Sequence, residues 1–300
     1  MTDAAVVGSL LHASAMGGLL TLLLAAVRGL MRERLGNRLL NAAWLVVAVR
    51  LLTLLPAPPV EMGWALTAWG GVALGVAVCQ GTSRLRRARR LRRGRKGTLK
   101  EGDWQAYQEL CRRYGVRPVP VFYVEGLEAP CLSDGLKPFI ALPAGLPPSH
   151  LRLVLAHEIC HLRARDPLWE ALRQGCCAVH WFNPLVWAAA WLSRCDGELA
   201  CDERVTARLE DRERLGYADV VASTEHRAAH ACQRSPRRRR LNRRITAIIR
   251  CVHSGRLAVV LGTLAGLAAL TLSLAAGPAL PARAEAPQTA VCQAVSEAPR

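Results

Sequence analysis

The chain has 300 residues, of which 51% are hydrophobic, and it carries a formal net charge of +17. A chain that is both apolar and strongly basic is unusual for a soluble enzyme but typical of a membrane protein with cytoplasmic arginine clusters. Direct binding of nucleic acid is not expected, because that function needs a basic face on a soluble fold and the basic runs here adjoin apolar segments.

Three apolar segments near the N-terminus are predicted to be membrane helices, at residues 6–27, 39–55 and 62–81. A helix needs about 20 apolar residues to cross the hydrocarbon core. A cleavable signal peptide is the alternative for the first segment, but basic residues follow this segment and none precedes it. Arg50 lies within the second segment, where it either snorkels to the outer surface, which we favour, or faces the protein interior.

Arginines beside these segments predict their orientation in the membrane. Arg28, Arg32, Arg34 and Arg38 indicate that the first loop is cytoplasmic, so the N-terminus is expected outside. The arginine-rich run 84–96 follows the third segment. We expect this run to bind anionic lipid headgroups, at about 1 kcal/mol per basic residue near the surface. Docking of an acidic protein partner is the alternative function for the run.

Residues 82–256 are long enough to form a soluble domain, which the charge pattern places in the cytoplasm. Apolar residues at helical spacing predict a helix over 103–114. Short β-branched and aromatic runs at 119–124 and 139–142 predict a small hairpin or sheet. Ile140–Pro143 is the candidate for an edge strand that holds a substrate backbone in extended form.

A His-Glu-x-x-His motif lies in the apolar, proline-free segment 151–163, a predicted helix with Ser149 as its N-cap. His157 and His161 are one turn apart on one helix face, so their imidazoles can bind the same zinc ion. Glu158 can take a proton from a zinc-activated water and later give it to a leaving amine. Because so short a motif also occurs by chance, it needs a third ligand from elsewhere in the chain.

The third ligand is predicted in the acidic segment 196–203. Glu198 can bind the metal, and Asp202, one turn later, can accept the free N–H of a ligating histidine. A solvent-exposed acidic helix is the alternative interpretation. Asp166 either caps the following helix, which we favour, or orients a ligand. His180 has apolar neighbours and is interpreted as a structural histidine rather than a group that stabilises the transition state.

Two apolar segments between these motifs, 168–179 and 181–192, are predicted to be helices. They either belong to the core of the catalytic domain or enter the membrane. The chain has eleven cysteines. Since most of them fall in the predicted spans or the cytoplasmic domain, where thiols stay reduced, we interpret them as small apolar residues.

The C-terminal part contains a predicted polar helix over 211–230 and a second arginine-rich segment over 234–250. Residues 257–276 form the fourth predicted membrane helix, of the small-residue type that packs closely against other helices. Its charge pattern places its end outside. Residues 277–300 are rich in proline and alanine, and we expect them to form a short disordered tail outside the membrane.

Three motifs stand in the chain in a fixed order: His-Glu-Ile-Cys-His at 157–161, His-Trp-Phe-Asn-Pro at 180–184 and Glu-Leu-Ala-Cys-Asp-Glu at 198–203. This set resembles the M56 family of membrane metallopeptidases, which includes antibiotic-sensing signal transducers. The resemblance covers most of the chain up to the last apolar segment. It implies that His157, His161 and Glu198 bind zinc and that Glu158 is the catalytic base.

The resemblance also implies the fold class: a mostly α, polytopic membrane protein with four transmembrane helices. Its cytoplasmic zinc metallopeptidase domain, residues 82–256, would be mainly helical and gluzincin-like, with a small β element. The antibiotic sensors carry a penicillin-binding domain after the last span. No Ser-x-x-Lys acylation motif follows residue 276 here. Sensing of β-lactams by this chain alone is therefore not expected.

The expected function is that of a zinc endopeptidase in a bacterial cell membrane. The resemblance implies that its protein substrate is a cytoplasmic transcriptional repressor, such as a winged-helix protein, or the chain itself. One alternative is a quality-control metalloprotease that degrades damaged membrane proteins. Another is a non-catalytic transducer or scaffold with a structural metal site. Glu158 argues against the scaffold, because a structural site does not need that carboxylate.

Overall fold

The computed structural model describes residues 3–55, 64–133, 137–230, 235–250 and 256–275. Its helices are α1 (Asp3–Leu35), α2 (Asn37–Leu52), α3 (Ala65–Arg93), α4 (Glu101–Tyr114), α5 (Pro148–Ala164), α6 (Asp166–Val179), α7 (Pro184–Thr206), α8 (Asp211–His230), α9 (Ser235–Arg250) and α10 (Arg256–Ala275). Its strands are β1 (Arg95–Thr98), β2 (Val121–Val124), β3 (Cys131–Leu132) and β4 (Ile140–Pro143). The predicted mostly helical class with a small β element is confirmed.

Two helical segments among the described residues are long and apolar enough to cross a membrane, Ala4–Leu30 and Ala65–Arg93. No residue of α3 is buried, so its apolar side chains are available to lipid. α2 has 16 residues, fewer than the roughly 20 that a span requires. α10 is 20 residues long, and its side chains are described only over the apolar part Leu264–Ala275. The four spans, their orientation and the domain boundaries therefore stay predictions, and the tail 277–300 lies outside the described residues.

Arg50 of α2 points into the protein rather than toward the membrane surface. Its side chain is fully buried. Its Nε donates a hydrogen bond to Ser273 Oγ of α10 at 3.0 Å, and its Nη1 donates to the carbonyl oxygen of Thr53. The favoured snorkelling interpretation is wrong. Apolar segments pack around this arginine, and hydrogen bonds to Ser273 of α10 and to the C-terminal end of its own helix replace those that water would make.

α1 and α2 pack closely because α1 has a glycine at the contact. A Cβ atom on Gly17 would lie 2.3 Å from Cδ2 of Leu51, so any larger residue would displace that side chain. Small residues permit such close approach between helices. These two helices form one apolar cluster with α6 and the first half of α7, around Trp44 and Val186.

The second half of α7 belongs to a different apolar cluster, which unites α4, α5, α8, α9 and the sheet around Tyr107, Ile159, Val205 and Ile248. Helix α7 therefore joins the cluster of α1 and α2 to the core that surrounds α5. His180 lies between α6 and α7, is fully buried, and donates from Nε2 to the carbonyl oxygen of Leu51 at 2.9 Å. This position supports the structural interpretation of His180.

The four described strands form one sheet in the order β1-β2-β4-β3. β2 and β4 are parallel, so the two runs recognised in the sequence form neighbouring strands of a sheet and not a hairpin. All four residues of β4 are buried. The prediction that Ile140–Pro143 is an edge strand is wrong, because its uniformly apolar run suits a strand covered on both faces. The edge strand on this side of the sheet is β3, and α5 packs against it.

Candidate metal centre

Helix α5 carries the His-Glu-x-x-His motif and begins at a proline. Pro148 is its first residue, where the missing N–H costs nothing and the fixed φ suits a helix. The N-cap position belongs to Pro147 and has no side-chain hydrogen bond, so the prediction of Ser149 as N-cap is wrong by two residues. The helix ends where Arg165 adopts a left-handed conformation with φ of 55°. This turn starts α6 directly beside the motif.

The three predicted ligands meet at one point. The Nε2 atoms of His157 and His161 are 3.0 Å apart. The Glu198 carboxylate, from α7, lies 3.6 Å from His157 Nε2 and 4.0 Å from His161 Nε2. Ligand atoms of all three side chains lie within 4.8 Å of one another, as one metal ion requires. Two imidazole nitrogens and one carboxylate oxygen form a donor set that zinc prefers, with a fourth position left for water.

Glu158 lies next to this point without belonging to the ligand set. Its side chain is buried, and its Oε2 atom has no hydrogen-bond partner in the described part of the chain. Burial raises the pKa of Glu158, and the two histidines only partly offset this effect. Buried carboxylate oxygens nearly always have a partner. An unpaired one beside a zinc-type donor set fits a water molecule that would bind between Glu158 and the metal.

His161 is oriented through its second ring nitrogen. Its Nδ1 contacts Oδ2 of Asp166, the first residue of α6. The favoured capping role of Asp166 is wrong, since α6 has no side-chain cap and the carboxylate turns back to the histidine. Cys201 Sγ also lies 3.4 Å from the same nitrogen, so this cysteine is not merely apolar. Burial raises the pKa of the Cys201 thiol.

His157 is oriented by a tyrosine that the sequence did not reveal. The hydroxyl of Tyr217, on α8, lies 2.8 Å from His157 Nδ1 and donates to Asp202 Oδ1 at 2.7 Å. Asp202 Oδ1 is itself 3.4 Å from His157 Nδ1. The tyrosine oxygen can therefore accept the Nδ1 proton, which leaves Nε2 free for the metal. Asp202 orients His157 mainly through Tyr217, rather than by the direct hydrogen bond that was predicted.

Two arginines of α9 contact the acidic residues of α7. Arg244 donates from Nε and Nη2 to the two oxygens of Asp202, both at 2.8 Å, and its Nη1 lies 3.2 Å from Glu198. Arg240 lies 3.7 Å from Glu198. Burial alone would raise the pKa of Glu198, but Arg244 and the histidines outweigh burial and hold it well below its usual range. Arg240, Arg244 and the buried Ile248 share one face of α9, a pattern that could have indicated an inward-facing helix.

The metal centre opens into a cavity of about 510 Å³. β3 supplies part of its wall through Cys131 and Leu132, so the sheet edge lies beside the motif helix. A cavity of this size beside a set of converging polar groups is typical of a binding site for a substrate.

Comparison with known proteins identifies the family. The sequence model of the family described as BlaR1 peptidase M56 matches residues 59–248, which is more than half of the chain. The chain belongs to the M56 peptidase family. The regulatory protein BlaR1 of Bacillus licheniformis is 29% identical over 98 residues, which are 32% of this chain and 16% of that relative. The alignment therefore covers only a small part of that relative, and the similarity of this M56 chain to it is limited to that part.

In this member of the M56 family, the helix that carries Glu198 is attached to α1 and α2 by buried polar contacts. Asp196 accepts hydrogen bonds from Arg28 Nε of α1 at 2.7 and 2.8 Å and from Trp44 Nε1 of α2 at 2.9 Å. Glu203 accepts a hydrogen bond from the backbone N–H of Asn37, at the start of α2, at 2.8 Å. These contacts lie on both sides of Glu198 along the chain. The position of the proposed metal ligand is thus linked to the N-terminal helices.

Proposed function

We propose that this chain is a membrane zinc endopeptidase of signal transduction. The observation that carries the proposal is the meeting of His157, His161 and Glu198 beside the unpaired oxygen of Glu158. Membership in a peptidase family supports hydrolysis of peptide bonds. Two helices of membrane-spanning length and composition support a membrane location.

Zinc is the metal that fits this site best. Two imidazoles and one carboxylate are a common protein ligand set for catalytic zinc, whereas magnesium and calcium prefer oxygen ligands. His157, His161 and Glu198 would hold the ion. When bound, zinc would polarise the scissile carbonyl and make a water molecule more acidic.

The remaining steps belong to side chains of the protein. Glu158 would take a proton from the attacking water through its unpaired Oε2 and return the proton to the leaving amine. The position of Glu158 suits this double role, because its buried and unpaired Oε2 lies beside the proposed metal ligands. Arg244 would keep Glu198 ionised and in place, and Tyr217 would hold the ring of His157.

The edge strand β3 is the proposed binding site for the substrate backbone. β3 lies at one edge of the described sheet, pairs with β4, and contributes both of its residues to the lining of the cavity beside α5. An extended peptide can add to such an edge through main-chain hydrogen bonds, whatever its sequence. This placement would bring a scissile bond to the metal centre without requiring the substrate to be folded.

We further propose that the substrate is a cytoplasmic transcriptional repressor, the chain itself, or both. The name of the Bacillus licheniformis relative, a regulatory protein, supports a regulatory role. The proposed location is the bacterial cell membrane, with the catalytic domain in the cytoplasm and both termini outside. Exposed arginines near the end of α3, among them Arg86, Arg89 and Arg90, would contact anionic lipid headgroups.

A comparison of new protein N-termini tests this function in cells that produce the wild-type chain or the Glu158→Gln variant. The variant should retain zinc and lose cleavage, because the ligands are unchanged and the base is absent. One cytoplasmic DNA-binding protein cut only by the wild type would support a regulatory peptidase. Many cut membrane proteins would favour a quality-control protease instead. Identical cleavage by the two chains would overturn the proposal.

A further inference from the structure

The cavity above the metal centre is lined by more arginines than carboxylates. The arginines come from four different helices, and they are Arg87, Arg173, Arg194, Arg240 and Arg244. The carboxylates are Glu158, Asp166, Glu170 and Glu198. Three of these four belong to the proposed metal centre. Among the described residues that line the cavity, only Glu170 remains as a carboxylate that can neutralise the arginines of the walls.

The single negative charge of Glu170 cannot neutralise both arginines that contact it. Arg173 Nε lies 3.1 Å from its carboxylate, and Arg194 donates to both of its oxygens at 2.8 and 2.6 Å. Two guanidinium groups therefore share one carboxylate. Burial opposes ionisation of Glu170, but Arg194 and Arg173 outweigh burial and lower its pKa to about 2. Even with Glu170 fully ionised, this side of the cavity keeps an excess positive charge.

Two further arginines extend the positive wall. Arg87 is exposed on α3 and faces the cavity. Arg240 of α9 approaches only Glu198, at 3.7 Å, and its buried Nε has no hydrogen-bond partner in the described residues. At 3.7 Å, Arg240 is too far from Glu198 for a hydrogen bond, so Arg87 and Arg240 can both contact a negatively charged group on a substrate.

The cavity also has an apolar part to its lining, which includes Ala129, Pro130, Leu132 and Val154. It therefore combines apolar residues of β3, its neighbours and α5 with arginines of α3, α6, α7 and α9. Arginine side chains form strong, often bidentate hydrogen bonds with carboxylates, and these bonds are stronger where water is partly excluded.

We propose that the cavity selects polypeptides with aspartate or glutamate side chains close to the scissile bond. This inference rests on the proposed peptidase function and adds the chemical class of its preferred substrate. The carboxylate of the substrate would meet Arg87 and Arg240, and the shared pair of Arg173 and Arg194 would add to the attraction.

Binding to the inactive Glu158→Gln chain tests the preference separately from catalysis. The full chain is placed in nanodiscs of phosphatidylcholine, so that no anionic lipid competes. Two fluorescent peptides are compared, one with glutamates around its centre and one with glutamines at the same places. The glutamate peptide should bind at least about tenfold more tightly, a difference of about 1.4 kcal/mol in binding free energy.

Substitutions on α3 separate the cavity from general charge attraction. Arg87→Gln should reduce the advantage of the glutamate peptide by several-fold. Arg89→Gln removes an equally exposed arginine of the same helix that does not line the cavity, and it should leave the advantage unchanged. Equal binding of the two peptides, no binding of either, or equal losses in the two variants would each overturn the inference.

Cleavage by the wild-type chain then distinguishes failure of this inference from failure of the proposed function. If both peptides are cut with the same kcat/KM, the chain is a peptidase but the acidic preference is wrong. If neither peptide is cut while the glutamate peptide still binds more tightly, the preference stands and the peptidase function is wrong. The inference predicts a higher kcat/KM for the glutamate peptide.

Discussion

The guanidinium group of Arg244 lies 3.2 Å from the carboxylate of Glu198, and only 7% of the arginine side chain is exposed. The same guanidinium forms two hydrogen bonds with Asp202, one helical turn further along α7. Asp202 therefore holds the buried Arg244 in place, and Arg244 in turn helps to position Glu198 and to keep it ionised. This contact joins α9, which was predicted from the sequence only as an arginine-rich segment, to the proposed metal ligand.

Replacement of Arg244 by lysine should weaken zinc binding. Lysine keeps the positive charge but cannot reproduce the fixed fork that bonds Asp202 while it contacts Glu198. Loss of a group that orients a metal ligand typically lowers metal affinity by about 10–100-fold. Competition with a chelator measures the affinity, and Arg243→Lys, at an exposed position of the same helix, is the control. Equal zinc affinity in the two variants would show that Arg244 does not position Glu198.

Tyr217→Phe should lower zinc affinity while the fold is retained. The substitution removes one hydroxyl, which lies 2.8 Å from His157 Nδ1 and 2.7 Å from Asp202. Without it, the ring of His157 loses its nearest polar partner, and we expect an effect of about tenfold or more on the zinc Kd. Tyr123→Phe, on β2, tests for a general effect of losing a hydroxyl and should bind zinc like the wild type. A wild-type Kd for Tyr217→Phe would contradict the proposed role.

The contact between Asp196 and Arg28 should contribute strongly to stability. Asp196 is 1% exposed and Arg28 is 11% exposed, so Asp196→Ala would leave a mostly buried arginine without its carboxylate. We expect a loss of about 3–5 kcal/mol, as for other buried pairs from which one partner is removed. Asp211→Ala removes an exposed pair with Arg214 and should cost less than about 1 kcal/mol. Unfolding by denaturant in detergent micelles compares the two, and similar losses would contradict a special role for Asp196.

Glu170 predicts a pH dependence of stability with a defined sign. Its folded-state pKa of about 2 lies below the usual value of 4.5, so ionised Glu170 stabilises the protein above pH 4.5 and this stability is lost as pH falls through about 2. The difference in unfolding free energy between the wild type and Glu170→Gln should therefore narrow by about 1 kcal/mol from about pH 6 to about pH 3.5. Glu109→Gln removes a more exposed pair and should change little over this range. A difference that stays constant or widens on acidification would contradict the assignment.

The parts of the site that lie on one helix could be predicted from the sequence. The spacing of His157 and His161 fixes their common face on any α-helix, and the acidic motif around Glu198 supplied a third ligand at a plausible distance along the chain. The polar contacts of Tyr217 and Arg244 could not be predicted, because they depend on how α8 and α9 pack against α5 and α7. No local pattern marks a tyrosine as the partner of a histidine 60 residues earlier.

The wrong predictions have the same origin. Arg50 donates a hydrogen bond to Ser273, which is 223 residues further along the chain. The residues around Arg50 in the sequence could therefore indicate only that an arginine is costly inside a membrane. Asp166 stands before a proline at a helix start, where capping is common, but the tight turn at Arg165 directs its carboxylate to His161. The position of β4 inside the sheet follows from strand pairing. Its unbroken apolar run was the available signal for a central strand.

The most direct test of the account is to measure zinc content and proteolysis together, with the purified wild-type chain and its Glu158→Gln variant in the same detergent. The substrate is an unfolded protein that offers many peptide bonds, so its sequence does not limit the result. The account predicts one zinc ion per chain in both proteins, cleavage by the wild type, and a loss of cleavage by at least about 100-fold in the variant, as expected when a general base is removed. Zinc in both proteins with equal cleavage rates, or a wild-type chain that binds no zinc and still cleaves, would contradict it.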